Sequence, residues 1–344
     1  MNIAFRADGD GKKGMGHLMR CSAIASEFIR QGDSVVFYSE YQSKGLNWLR
    51  EKGFKAVELK QHSSLLEEAF ELASYLSRGN TDVVFVDSYW LIDEYYPVLK
   101  QSGAVVAAID DSSLTYRYDC DVIVNDNFDA LAKDYSSSNV KLKLLGHKFS
   151  ILRQEFREIS PAPFREHVET ILITMGGADV RNFTPVVLKA LGKLENINLK
   201  VICGPLMENI GAIERAADLC QSQVEIIRNP VSMAKLMAQC DIAISAGGGT
   251  VKELFAMGVV PLFVLQAANQ LPLQQILERY NLSLVLGNYT DVDSSALSEA
   301  VNTLLDTPAE RKRIRQKILQ LVCREGVANI VNSVSTFTNA IKHC

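Results

Sequence analysis

The segment GDGKKGMGHLMRC, residues 9–21, sets a histidine at the opening of a helix, directly behind an apolar run and a glycine-rich turn. Glycines at a strand-to-helix turn let a ligand approach the backbone, and the N–H groups of a helix start attract anions. Histidine is unusual there, because the positive end of the helix dipole disfavours imidazolium. The same dipole favours the neutral ring, which can accept a proton, so His17 suits a general base acting on water. Lys12 and Lys13 push in the same direction, and a bound diphosphate would oppose them. The residues leave two readings open: a catalytic base, or a ring that caps its own loop.

The stronger phosphate signal lies in the second half. ITMGGADVRN reads as a strand, a turn at Gly176–Gly177 and a cap at Asp179, with Met175 and Asn182 flanking the turn. ISAGGGTVKELFAMGVVPLFV reads as a strand, three glycines at 247–249 and a helix opening at Thr250 or Val251. Backbone N–H groups of Gly248, Gly249 and Thr250 at such a start can hold a diphosphate. Glu253 lies one turn inside, where a carboxylate can accept hydrogen bonds from ribose hydroxyls. The blander alternatives are a tight turn and a carboxylate that serves the helix dipole. The next strand ends in QAANQ, which returns Asn269 and Gln270 to the same edge. The first loop fits a dinucleotide fingerprint poorly. Gly9, Gly11 and Gly14 can be forced onto GxGxxG, but Glu40 follows about 30 residues on, where roughly 20 is expected for a ribose-binding acid.

These loops need strands and helices to hold them. Short apolar runs alternate with amphipathic segments throughout: NIAFRAD, SVVFYSE, DVVFVDS, AVVAAIDD, DVIVNDN and a weaker LKLLGH, then TILITMGG, LKVICG, VEIIRN, IAISAGG, VVPLFVL and LSLVLG. Continuous rather than alternating apolar runs imply strands buried on both faces, as in parallel sheets. In HLMRCSAIASEFIRQG the residues Leu18, Cys21, Ala25 and Phe28 recur at helical spacing, with Gly32 as the terminating glycine. The pattern predicts two Rossmann-like, doubly wound α/β domains enclosing a cleft. The divisions predicted are 1–150, a Pro-containing linker 151–168, a domain 169–325, and a helix 326–344 that packs back on the first domain. Polar residues follow the apolar strands of the first half: Arg6 and Asp8, Asp87 and Tyr89, Asp110 and Asp111, Asn125 and Asn127. Any one of them reads as a turn former; together on one edge they read as a polar cleft.

With 344 residues the chain is long enough for two domains of roughly 150 residues. A net charge of −4 gives no support to a nucleic-acid surface. No apolar run approaches the roughly 20 residues needed to span a bilayer, so no membrane insertion is expected. Seven cysteines without a CxxC pair read as reduced thiols of a cytoplasmic protein. The five histidines are far apart, so neither a metal nor another cofactor is expected.

FRADGDGKKGMGHLMRCSAIA resembles the signature R-x-D-x…G-x-G-H-x-x-R of the UDP-sugar hydrolases of pseudaminic acid biosynthesis. VDSYWL, IDD, VNDN, FSILRQEF, ITMGGADVRN and SAGGGTVKELFAMGVVPLFVLQAANQ resemble further blocks of that family in the same order, across nearly the whole chain. The C-terminal block is shared with transferases that use UDP-N-acetylglucosamine. The resemblance implies a GT-B fold, a cofactor-free and metal-independent hydrolysis, and UDP held mainly by the second domain. It implies that His17 acts on water, that Tyr89 lies near the sugar and that Glu253 meets the ribose. Asp8, Gly14, Gly16 and Asn127 are further expected substrate contacts in the first half; Met175, Gly176, Gly177, Asn182, Gly248, Gly249, Thr250, Asn269 and Gln270 are those in the second. Two features depart from the pattern: Lys13 stands where an apolar residue is usual, and the glycine triplet often carries a small side chain.

The expected reaction is hydrolysis of a UDP-2,4-diacetamido-2,4,6-trideoxyhexose, with inversion, in a pathway that decorates flagellin or a surface polysaccharide. The partner is thus a UDP-sugar, and protein partners are left open. A transferase of the same fold is the alternative, with His17 acting on an acceptor hydroxyl. For a lipid-linked acceptor an apolar and basic patch is expected, and YQSKGLNWLREKGF has some of that character, although a helix packed on the sheet explains it more simply. A non-catalytic sugar-nucleotide-binding subunit and a dehydrogenase are the remaining alternatives.

Overall fold

The computed structural model describes residues 1–9, 15–43, 45–88, 92–110, 117–204 and 207–342, with the side chain of Asn269 outside the description. The chain divides into two units, Met1–Gln154 with Cys323–Cys344, and Glu155–Val322.

In the first unit β1 (Asn2–Ala7), β2 (Ser34–Ser39), β3 (Lys55–Glu58), β4 (Val83–Asp87), β5 (Val105–Ile109), β6 (Val122–Asn125) and β7 (Leu142–Leu145) form one sheet in the order β3-β2-β1-β4-β5-β6-β7. Every pairing is parallel, so all strands end on one edge. β4 and β5 are buried along their whole length, as their continuous apolar runs require. Side chains alternate between two apolar layers. Phe5, Phe37 and Phe85 point to one face and stack with centroids 5.0 Å apart. On them pack Leu18, Cys21, Ile24 and Phe28 of α1 (Gly16–Arg30) and Val327, Ile330, Val331 and Val334 of the helix Gly326–Lys342. Ala4, Val84 and Val86 face the other layer with α3 (Leu65–Arg78) and α4 (Tyr95–Lys100). The short α2 (Gly45–Glu51) lies between α1 and α3 in chain order, after β2. α1 stops as the pattern predicts: Gly32 takes φ +90°, and Asp33 N–H returns to the Phe28 carbonyl at 3.0 Å. Each buried phenylalanine contributes roughly 1.5–3 kcal/mol.

β3 has no counterpart among the predicted strands. KAVE is short, half exposed and at the sheet edge, so it lacks the apolar run by which the others are recognised.

The second unit holds β8 (Thr170–Thr174), β9 (Asn198–Cys203), β10 (Gln223–Arg228), β11 (Ile242–Ser245), β12 (Val260–Leu265) and β13 (Val285–Asn288), in the order β10-β9-β8-β11-β12-β13. Again every pairing is parallel. The segment before β8 is pinned to this unit. Glu155 accepts from Ser232 Oγ at 2.5 Å, and the carbonyls of Ala162 and Glu166 accept from Arg315 and Arg311.

Candidate functional site

At the edge of the first sheet, β1 ends in register with β4: Ala7 lies beside Asp87. The chain leaves β1, returns as α1, and brings His17 in its first turn to Asp87. Asp87 is 1% exposed and accepts at both oxygens. His17 Nδ1 lies 2.6 Å from Oδ1, Arg20 Nη2 donates to Oδ1 at 2.6 Å and Arg20 Nε donates to Oδ2 at 2.5 Å. Cys21 Sγ adds a weak contact to Oδ2 at 3.5 Å. Burial alone would raise the Asp87 carboxyl. The Arg20 charge and the hydrogen bonds from Arg20 and His17 outweigh it and hold the group well below the usual carboxylate range. Asp87 Oδ1 only accepts and Arg20 Nη2, 2.8 Å from the same Nδ1, only donates; the shorter contact with the carboxylate assigns the proton of the neutral ring to Nδ1 and leaves Nε2 as the acceptor. A base oriented by an acid in this way is suited to taking a proton from water or a hydroxyl. Burial, then the charge of Asp87, raises the Cys21 thiol, so this cysteine serves as a neutral donor.

The other strand ends of this sheet are tied to one another. Asp8 pairs with Arg6 Nη1 at 2.6 Å and accepts the Glu40 N–H at 2.8 Å. Arg6 Nε and the Tyr95 hydroxyl both donate to Glu68 Oε1, at 2.8 and 2.7 Å. Asp110 accepts from the Tyr135 hydroxyl at 2.6 Å and from Asn125 Nδ2 at 3.2 Å. Asn127 donates its backbone N–H to Asn125 Oδ1 at 3.0 Å. Asp8, expected as a substrate contact, is thus 5% exposed and engaged as a brace between β1 and β2. Gly16 is exposed, and a Cβ there would meet nothing within 4 Å. Gly14 and Tyr89, together with Lys12, Lys13 and Asp111, lie outside the described residues.

At the edge of the second sheet the groups are of another kind. After β8 the buried Met175 leads into Gly176 at φ +79°, a conformation glycine adopts without strain. Asp179 caps the next helix, Thr184–Leu191, from outside: its carboxylate accepts the N–H groups of Phe183 and Thr184 at 2.9 and 3.0 Å. Asn182 takes φ +50° and donates its N–H to the Asp179 carbonyl at 2.7 Å. After β11 the helix opens at Thr250 and runs to Ala256, with the half-buried Glu253 in its first turn. The three glycines differ. A Cβ on Gly247 would sit 2.9 Å from the terminal methyls of both Leu265 and Leu273, which would have to move aside. Gly248 would meet only Gln270 Nε2, at 3.7 Å, and Gly249 faces open space. Gln270 Oε1 accepts the N–H groups of Gly247 at 3.2 Å and Gln266 at 2.9 Å. Its carbonyl end therefore fixes the glycine turn to the end of β12.

The roles of Arg20 and Asp87 were not assigned from sequence, although both residues stand in the quoted motifs. The signal for Arg20 is its spacing: three residues after His17 on a helix puts it on the same face. Among the described residues there is no group of three or more His, Cys, Asp or Glu positioned to hold a metal ion, and no helix is long and apolar enough to cross a membrane.

Residues 170–329 match the Glycosyltransferase family 28 C-terminal domain. The chain is 23% identical to the spore coat polysaccharide biosynthesis protein SpsG of Bacillus subtilis, over 96% of each. It is 25% identical to an uncharacterized protein of Methanocaldococcus jannaschii, matching 77% of this chain and 55% of that one. It is also 25% identical to the pseudaminic acid cytidylyltransferase and UDP-2,4-diacetamido-2,4,6-trideoxy-beta-L-altropyranose hydrolase of Helicobacter pylori, matching 75% of this chain and 43% of that one. The chain thus spans about half the length of two of these three relatives. Among solved structures it is similar to MurG of Acinetobacter baumannii, at 16% identity and a TM-score of 0.72, over 97% and 99% of the two chains. UGT2 of Phytolacca americana, solved with UDP-2-fluoro-glucose and pterostilbene, gives 12% identity and a TM-score of 0.66, over 98% and 99%. Two parallel α/β sheets matched to these glycosyltransferases end to end give this chain the GT-B fold.

Proposed function

We propose that the chain is an enzyme that hydrolyses a UDP-linked 2,4-diacetamido-2,4,6-trideoxyhexose, releasing UDP and the free sugar. The observation that carries the reading is the buried His17–Asp87 pair, which presents an oriented base at a sheet edge. UDP is a good leaving group and needs little protonation. The catalytic task is to stabilise its departing charge and to activate one water. Asp87 holds the Nδ1 proton of His17, and Nε2 takes a proton from the water as its oxygen attacks the anomeric carbon. The C–O bond to UDP breaks as the new C–O bond forms, so the anomeric centre inverts. In this reading the N–H groups at Gly176–Gly177 and Gly248–Thr250 receive the diphosphate, and Glu253 receives the ribose. A positioned base of this kind typically contributes about 10²–10⁴-fold.

Support comes from the similarity to the Helicobacter pylori bifunctional protein, whose name includes this hydrolase, and from the sequence blocks. Transfer to an acceptor hydroxyl is the second reading, favoured by the family 28 match over 170–329. The candidate acceptor-facing segment at residues 41–54 gives it little help. α2 turns Leu46 and Leu49 into the protein, and Lys52 sits 6.0 Å from the half-buried ring of Trp48. Incubation with the UDP-sugar and no acceptor, followed by NMR, separates the two. Rapid appearance of UDP and free sugar of opposite anomeric configuration establishes hydrolysis; release only after an acceptor is added establishes transfer.

A further inference from the structure

Asp87 is more heavily cross-linked than an orienting carboxylate needs to be. One hydrogen bond to His17 Nδ1 suffices to fix the ring. Arg20 nevertheless adds a two-toothed pair, through Nε to Oδ2 and Nη2 to Oδ1, and its Nη2 also lies 2.8 Å from His17 Nδ1. The side chain of Asp87 is 1% exposed and those of His17 and Arg20 are 7% and 16% exposed, so solvent screens the three groups little. A buried carboxylate demands one compensating positive charge. With His17 as its only partner, the carboxylate would favour a second proton on the ring, and a ring carrying both protons cannot act as a base.

We propose that Arg20 is a positioning and charge-balancing residue: it supplies the cation that Asp87 requires, so that His17 can pair with the same carboxylate while remaining neutral. The inference rests on the reading of His17 as a base and adds what keeps it in working form. Two effects of Arg20 act in one direction. It neutralises Asp87, and its own charge beside Nδ1 opposes a second proton on the ring. Among the described residues, the other groups named around the site do not supply that charge. Cys21 on α1 is a neutral thiol, and Tyr96 of α4, whose hydroxyl is raised by burial and then by Cys120, Asp110 and Asp87, is neutral as well. β1, β2 and the helix Gly326–Lys342 meet α1 through apolar residues such as Phe5, Phe37 and Val331. All these neighbours are drawn from the described residues.

The test is an NMR titration of the His17 ring in the intact protein and in Arg20→Gln, the resonance being identified by its loss in His17→Asn. No substrate is needed, so the outcome stands whether or not the proposed hydrolysis is correct. Gln keeps a donor for Asp87 and removes the charge. The ring of Arg20→Gln should titrate about one pH unit or more higher than in the parent. Where the UDP-sugar is turned over, the acid limb of kcat/KM should move with it. The rate should fall most on the acid side, and the deficit should shrink to within about twofold as the pH rises past the titration of the variant's ring. Identical ring titrations, or a rate loss that is uniform across pH, would overturn the proposal and leave Arg20 as scaffolding. Arg20→Lys keeps the charge and loses the fork; its ring should titrate close to the parent, and behaviour like that of Arg20→Gln would also overturn charge balance. Should Arg20→Gln fail to fold, the uncharged Arg20→Met carries the same decision.

Discussion

Four strands of the seven-stranded sheet, β1, β4, β5 and β6, end in Asp8, Asp87, Asp110 and Asn125, all buried and all held by side-chain hydrogen bonds or ion pairs. Three central strands of the six-stranded sheet, β8, β11 and β12, lead into Met175 with Gly176, Ala246 with Gly247, and Gln266, where backbone groups and neutral amides dominate. The winding is the same in both: third, second, first, fourth, fifth, sixth. After the fourth strand of each sheet one unit therefore carries Asp87 and the other carries the glycine turn. Equivalent places on one scaffold are given to ionisable side chains in the first unit and to accessible backbone in the second. Side chains can hold and move a proton; backbone N–H groups bind charge without titrating. The difference predicts that damage to the first edge costs rate and damage to the second costs affinity.

The largest effect should come from His17→Asn. Turnover should fall about 10²–10⁴-fold while UDP affinity, read by calorimetry, stays within about twofold. Equal losses of rate and affinity would break the division between the edges. Asp87→Asn should cost about 10–10²-fold in turnover, by analogy with carboxylates that orient a histidine from behind. It should also alter acid stability. The folded-state carboxyl is held low, so Asp87 stabilises the protein fully above its unfolded value near pH 4, and that contribution is lost as pH falls below it. Urea unfolding between pH 5 and pH 2.5 should therefore show a shallower loss of stability in the asparagine variant than in the parent.

Smaller effects sharpen the second edge. Gly247→Ala should destabilise by about 1–3 kcal/mol, because its Cβ meets Leu265 and Leu273, whereas Gly249→Ala should fold at least as well as the parent and weaken UDP binding. Thermal melts with and without UDP distinguish them: equal melting points without UDP would show that the turn accommodates a side chain at 247. Gln270→Ala removes the acceptor for two N–H groups and should lower UDP affinity about tenfold with the His17 titration unchanged.

The strand pattern, the two glycine turns and the helix opening at Thr250 were legible in the sequence because each has a local signature: an apolar run, a permissive residue, a period. β3 was not, since an exposed edge strand has no run to show. The Asp87 contacts were not either. His17 and Asp87 stand 70 residues apart, and only the parallel register of β1 with β4 brings them to hydrogen-bond distance. The glycines at 247, 248 and 249 carry no local sign of which of them is packed against neighbours. Their difference depends on Leu265 and Leu273, which reach Gly247 only through the packing of β12 and the helix behind it.

Gly326 has no room for a side chain because the backbone of Ser150 lies against it, and Ser150 Oγ accepts the Cys323 N–H at 3.2 Å. That clasp fastens the helix Gly326–Lys342 into the core of a unit whose preceding residues end at Gln154, about 170 positions earlier. On the ribosome the second unit emerges contiguous and can close its core while the first still waits with Phe5, Phe28 and Phe85 incompletely covered. The unit that contains the first strands is thus the one that completes its core last, after the second unit has been made.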